Sequence, residues 1–282
     1  MEHLASCLIC ESKKIINKKS LIDYSLTKEI FSLYQCLSCG VVFTNPRPKK
    51  NIIKKYYDLK KYDSYNKKSD SFAFLYRFIQ KLNNSYKTNL LKKYKTGCLL
   101  DYGSGSGSFI DHTKKRGYSS FGYEPINNPK YNRIYKNKTV IKKQKYDWIT
   151  LWHVLEHTHN PKKTLKSLIG LLNKDGLIAI AIPNINSYDN IYYKNYWAGY
   201  DVPRHLFHFN PSSFEKLANF VDLKIINKKP LWFDSIYISI LSEKYKKNKF
   251  SFISGFIRGF VSNLYAIKTG QHSSIIYILR KC

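Results

Sequence analysis

Short apolar runs separated by polar, helix-spaced stretches fill the middle of the chain, from residue 97 to 230. That alternation predicts a βαβ sheet, since strands covered on both faces read as nearly continuous apolar words. Cys98-Leu99-Leu100-Asp101-Tyr102 is the first of these, followed by a helix over Ser108–Arg116. Further strands are expected at Ser119–Glu124 and Trp148–Trp152. Asn160-Pro161 opens a helix from Lys162 to Leu172, which Lys174-Asp175-Gly176 ends. Leu177–Ile182 is the most apolar strand and stops at Pro183, and Ser274–Leu279 reads as the last one. Between them Pro211-Ser212-Ser213 starts a helix whose stripe is Phe214, Leu217 and Val221.

The flanks are patterned differently. Phe74, Leu75, Phe78, Ile79, Leu82 and Leu90 keep a loose helical period within residues 49–96. Phe250–Ile267 mixes large apolar residues with Gly255, Arg258, Gly259 and Ser262. Burial against the domain is the ordinary fate of such a helix; a membrane-surface helix or a lid over an acceptor is the alternative. The chain thus divides into residues 1–48, a helical linker or lid over 49–96, and a main domain over 97–282.

Composition changes this picture little. The 48 Lys+Arg against 19 Asp+Glu give +29, which suits anionic partners. The lysines are dispersed along the whole chain, however, so a dedicated nucleic-acid surface is disfavoured. No window is apolar over the ~20 residues of a membrane span, and no signal-like segment opens the chain, so a cytoplasmic location is expected, with peripheral membrane contact open.

Candidate chemistry begins at Asp101-Tyr102-Gly103-Ser104-Gly105-Ser106-Gly107. A strand delivers Asp101, and glycines then let the backbone turn tightly and approach a ligand before the helix begins. A dinucleotide fingerprint would need a third glycine where Ser108 stands. Glu124 ends the next strand, where a carboxylate can accept both hydroxyls of a ribose. With Asp101 two positions ahead of its first glycine, this turn resembles motif I of class I methyltransferases. The resemblance implies a seven-stranded, Rossmann-like, mostly parallel sheet with an antiparallel last strand. It also implies S-adenosylmethionine as cofactor, held by Asp101, Gly103, Ser104, Gly105, Gly107 and Glu124.

Two later segments extend the likeness. Tyr146–Ile149 through Glu156-His157 and Pro161 resembles the segment after the fourth strand in ubiquinone-type and deoxysugar methyltransferases, which implies that Leu151, Trp152 and His153 border the cofactor. Glu156 and His157 could take an acceptor's proton, coordinate a divalent ion, or simply brace the loop. Residues 184–209 form a connector too long for a plain strand-to-helix turn, so a functional loop is expected. Its Pro203-Arg204-His205-Leu206-Phe207-His208-Phe209 resembles bacterial methyltransferases of polysaccharide and deoxysugar biosynthesis. His205 is the leading general-base candidate; Arg204 could hold an anionic acceptor, with Tyr196, Trp197 and His208 as further acceptor contacts.

Cys7-Leu8-Ile9-Cys10 and Cys36-Leu37-Ser38-Cys39 form two knuckles separated by residues 11–35. Each aims two thiolates at one point, and together they complete a closed tetrahedral zinc site with no position for chemistry. A β-hairpin between the knuckles would absorb the long gap; redox pairs or an iron–sulfur site are the rivals. This zinc ribbon resembles the N-terminal module of the same sugar methyltransferases. The expected activity is methyl transfer to a small, anionic acceptor, a nucleotide-linked sugar or surface-glycan intermediate. A quinone or lipid phenol is the alternative acceptor; an RNA-binding zinc-ribbon protein and a silent cofactor-binding scaffold are the alternatives outside that activity.

Overall fold

A computed structural model of the chain describes residues 1–57, 70–126 and 133–282, and only the backbone of residues 70–78. Residues 58–69 of the expected linker, and the side chains of Phe74, Leu75 and Phe78, therefore lie outside the described part. The chain begins with β1 (Ile15–Ile22), β2 (Ile30–Cys36) and β3 (Val42–Thr44), then α1 (Asp70–Lys92). The core follows as β4 (Cys98–Tyr102), α2 (Ser108–Lys114), β5 (Ser119–Tyr123), β6 (Ile134–Tyr135), α3 (Lys138–Ile141), β7 (Tyr146–Trp152), α4 (Pro161–Ile169) and β8 (Leu172–Pro183). After α5 (Tyr188–Tyr193), β9 (Phe207–His208) and α6 (Pro211–Asn219) come β10 (Leu223–Pro230), α7 (Trp232–Tyr245), α8 (Ser251–Thr269) and β11 (Ser274–Lys281).

Seven of the strands form one sheet in the order β10-β11-β8-β7-β4-β5-β6. β4 pairs in parallel with β5 and β7, and β7 with β8, while β11 enters antiparallel between β8 and β10. The order and directions are those of the expected Rossmann-like sheet, with the last strand antiparallel. Strand period sends alternate side chains to opposite faces. Leu100, Ile149, Ile178, Ile180 and Tyr277 join one buried cluster, and Leu99, Trp148, Ala179, Ala181 and Ile276 the other. α1 and α2 cover the second face through Leu90, Leu91 and Phe109. α4, α6 and the N-terminal sheet cover the first through Leu165, Phe214 and Leu33.

Two expectations change. Lys174-Asp175-Gly176 does not end a helix; it sits inside β8, where the pairing jumps from Tyr146–Leu172 to Trp148–Leu177. The polar residues are looped out of register, and the ladder resumes where the apolar run begins. α8 is helical as expected, but only its small residues are buried. A Cβ on Gly255 would stand 2.4 Å from the Ile240 Cα, and one on Gly259 2.4 Å from the Ile236 Cα. Backbone thus meets backbone, and the large apolar side chains of α8 point away.

The N-terminal ribbon is a four-stranded sheet, β1-β2-β3-β9, whose last strand comes from the loop after β8. β1 and β2 are the hairpin that spans the gap between the knuckles. The Cys7 and Cys39 sulfurs are 3.6 Å apart, those of Cys10 and Cys36 3.4 Å, and all four lie within 4.8 Å of one another. Thiolates at ~2.3 Å from a tetrahedral zinc are separated by a little under 4 Å, so this donor set fits the ion. Gly40, at φ +80°, closes the second knuckle by donating its N–H to the Cys36 carbonyl. One zinc per chain should appear in elemental analysis, and a strong chelator should lower the melting temperature by more than about 10 °C. A zinc-free protein with an unaltered melt would refute the assignment.

Candidate active site

The carboxyl ends of β4, β5 and β7 open into a cleft of about 1190 Å³, lined also by α1, α7 and the loop after β8. That is where an open α/β sheet binds ligands. Gly103, Gly105 and Gly107 have φ of +83°, +52° and +82°. At Gly103 a Cβ would also lie 2.4 Å from the Val154 methyl, so both conformation and space demand glycine. Glu124 is buried just past β5 and binds this turn, accepting the N–H of Gly105 and of Ile126, each at 2.9 Å.

Asp101 is sealed beneath the turn and accepts from Thr150 Oγ1 at 2.7 Å. Burial pushes its carboxyl up to about 7, against the pull of Thr150 and the charge of Lys87. Lys87, from α1, is 91% buried and sits 4.6 Å above the Trp152 ring. Burial lowers its ammonium, while Asp234 and Asp101 draw it back up. Among the described residues no carboxylate stands within 4.0 Å of it.

His153 follows β7 in the left-handed region, at φ +53°. Such a backbone costs about 1–2 kcal/mol in a residue with a Cβ and needs holding. The holding groups are two carboxylates: Asp234 Oδ2 lies 2.7 Å from Nε2 and Glu156 Oε1 3.3 Å from Nδ1. Burial would lower this imidazole, but Asp234 and then Glu156 outweigh it and raise it to about 9.

Glu156 is the centre of the second group. Its carboxylate is buried, faces His153, and lies 4.0 Å from Nε2 of His205. Burial alone would raise it; the hydrogen bond from His153 and the charges of His205, His153 and His157 hold it below the usual carboxylate range. His205 donates from Nδ1 to the Gly199 carbonyl at 2.9 Å, which leaves Nε2 as the acceptor nitrogen. The His157 ring stacks edge-on at 4.5 Å from His205. Its Nδ1 meets the Arg204 carbonyl at 3.1 Å and the Tyr57 hydroxyl at 2.8 Å. Burial, then the charge of His205, pushes His157 down to about 4, and burial pushes the Tyr57 phenol well up. Donor atoms of Glu156, His157 and His205 fall within 4.8 Å of one another, a set able to hold either a proton or a cation.

The ribbon fixes this group in place. Thr44 donates Oγ1 to the His205 carbonyl at 2.9 Å and its N–H to the Leu206 carbonyl, while Leu206 donates to the Glu156 carbonyl at 2.8 Å. Phe43 pairs with Phe207 across β3 and β9.

Four residues expected to touch the acceptor do not line the cleft. Arg204 is 99% buried and grips Asp23 through Nη2 at 2.7 Å and Nη1 at 3.3 Å, with Asp201 at 2.8 Å from Nε. Trp197 is buried and donates to Asp189 at 2.7 Å. His208 is buried edge-on to the Tyr200 ring, and exposed Tyr196 packs at a tilt against Tyr24. Leu151 is fully buried within the sheet; Trp152 and His153 beyond it do reach the cleft. Gly107 acts as the cap of α2, and no side chain can reach the cleft from it. Conversely Tyr57, Lys87 and Asp234 line the cleft without having been expected there. Their only sequence signals are a lysine on the apolar-spaced face of α1 and an acid in an aromatic stretch.

A family model described as a methyltransferase domain matches residues 73–228, more than half of the chain. Among solved structures the chain is similar to a mycolic acid cyclopropane synthase complexed with SAH and CTAB, at 15% identity and a TM-score of 0.47 over 70% of this chain and 83% of that one. It is similar too to a plantazolicin methyltransferase in complex with a monoazolic desmethylPZN analog and SAH, at 16% identity and 0.46 over 73% and 83%. A cyclopropane synthase from Mycobacterium tuberculosis follows at 12% and 0.42 over 66% and 78%. No curated protein sequence matches the chain.

Proposed function

The chain belongs to the methyltransferase-domain family and is an S-adenosylmethionine-dependent methyltransferase, and we propose for it an anionic small-molecule acceptor, a nucleotide-linked sugar or surface-glycan intermediate. The observation that carries this reading is the charge of the cleft wall. Lys50, Lys54, Lys138, Lys142 and Lys163 line it and are exposed, whereas its carboxylates Asp101, Glu124, Asp201 and Asp234 are buried or largely so. Exposed lysines around a concave site attract phosphate groups at long range and bind them as point charges. The volume also exceeds a typical single-ligand pocket of ~300–1,000 Å³, which suits two reactants side by side.

The residues present fit the cofactor. Lys87 supplies a buried cation for the amino-acid carboxylate, and Glu124, with more than one lone pair on each oxygen, suits the ribose hydroxyls. When bound, S-adenosylmethionine supplies a sulfonium-bound methyl group open to a nucleophile. The chain's own part is to hold that acceptor in line and to remove its proton, and orientation alone is worth several kcal/mol. His205 Nε2 takes the proton from the acceptor carbon or hydroxyl. Its Nδ1–H stays on the Gly199 carbonyl, and the ionised Glu156 stabilises the imidazolium that forms. His157 and Tyr57 orient this group.

Calorimetry with S-adenosylmethionine, followed by methyl-transfer assays on a nucleotide-linked sugar and on a neutral phenol, tests the reading. Lys87→Met should weaken cofactor binding about 10- to 100-fold, since charge-assisted hydrogen bonds contribute ~1.5–3 kcal/mol. Transfer to the phenol alone would overturn the acceptor class; unchanged cofactor affinity would remove Lys87 from the cofactor site.

A further inference from the structure

We propose that α8 is a membrane-surface helix that seats the protein on anionic phospholipid. Its outer face carries Ile253, Phe256, Ile257, Phe260, Leu264 and Ile267, all about half exposed or more, with Ile267 at 64% and Ile253 at 60%. Their spacing by three and four places them on one stripe along the helix. Scattered exposed apolar residues are ordinary, but a contiguous stripe of this length marks an interaction surface. The inner face explains why the stripe is outside. Gly255, Gly259, Ser262 and Ala266 are buried, and the backbones of α7 and α8 approach so closely at the two glycines that no large side chain fits between them.

Charge identifies the occupant. From Lys244 to Cys282 the chain has eight Lys and Arg and no Asp or Glu. Lys246, Lys247 and Lys249 precede the helix, Arg258 flanks its middle, Lys268 lies in its last turn, and the lysines are exposed. A second copy of the chain would bring the same basic face and another +29 onto this one, with no acid here to pair with it. An anionic bilayer offers both components at once, negative headgroups for the lysines and an acyl boundary for the stripe. No described helix is long and apolar enough to cross a membrane, so α8 lies in the interface plane. The same seat places the reaction at a lipid surface: Asp234, Tyr237, Ile238 and Leu241 of α7 line the cleft, while Ile236 and Ile240 of that helix touch α8.

Co-sedimentation with vesicles of phosphatidylcholine containing about 30 mol% phosphatidylglycerol provides the test, with pure phosphatidylcholine as control. The native protein should pellet with the anionic vesicles and far less with the neutral ones. Phe256→Glu with Phe260→Glu should lower the partition coefficient at least about tenfold. Lys247→Gln with Lys249→Gln and Lys268→Gln should lower it about a hundredfold, at ~1 kcal/mol per lysine. Both variants alter only exposed positions, and an unchanged melting temperature confirms that they fold. Native protein that stays in the supernatant overturns the proposal. So does equal binding by the two phenylalanine changes, which would leave the stripe without a role. A native dimer that these changes dissociate, without vesicle binding, assigns the stripe to a second copy instead. Cofactor titration is independent of every arm.

Discussion

His205→Ala is expected to bind S-adenosylmethionine as the native chain does and to turn over about 10²–10⁴-fold more slowly, with little change in acceptor KM. Both parts of that result follow from position. His205 lines the cleft with His157 and beside the buried Glu156, makes no hydrogen bond to the glycine turn among the described residues, and has its backbone held by Thr44 and by the Asp201 carbonyl. Removing the ring therefore leaves the cofactor contacts standing and takes away the acceptor nitrogen whose tautomer the Gly199 carbonyl sets. Partial rescue by added imidazole would separate proton removal from bracing. His157 makes a useful contrast: at about 4 it is too weak a base for neutral pH, so His157→Gln should cost much less than His205→Ala. Full turnover by His205→Ala would end the assignment.

The second large effect is on stability. Arg204→Met should destabilise the protein by about 3–5 kcal/mol, as removal of one member of a buried ion pair does. Asp23 is 99% buried at the β1–β2 turn and takes both Nη nitrogens, and Asp201 sits at Nε. Burial opposes the charge on both acids, yet the guanidinium holds Asp23 below its ordinary range and Asp201 down at about 2. Without Arg204 both anions would lose their counter-ion, Asp23 where water cannot reach it and Asp201 at the largely buried edge of the cleft. Adding Asp23→Asn to Arg204→Met should recover part of the loss, which denaturant titration of the single and double variants would reveal. An acceptor-binding arginine would instead raise KM and leave the melt alone. A loss below about 1 kcal/mol would rule out the structural role.

These two residues are neighbours in the chain, and their contrast shows how far the sequence carries. Both stand in Pro203–Phe209, and both invited a chemical role from residue type alone. A guanidinium beside a proline reads the same whether it meets a phosphate or a buried carboxylate 181 residues away. Lys87 is the opposite case. Its place on the apolar-spaced face of α1 is its one sequence signal, and only the packing of α1 over β4 and β7 makes it a buried cation beside the glycine turn.

What the sequence determined by itself is local chemistry. Gly103, Gly105 and Gly107 announce positive φ because few other residues tolerate it, Glu124 follows directly on a strand, and the CxxC spacing converges four thiolates. Strand and helix periods likewise require the sheet, since apolar runs must be covered on both faces. Tertiary structure decided the rest. It delivered β9 to the ribbon, set Glu156 among three histidines, turned Arg204 inward and the apolar stripe of α8 outward. Each of these depends on which distant groups share a low-dielectric space, and no pattern of neighbours along the chain encodes that.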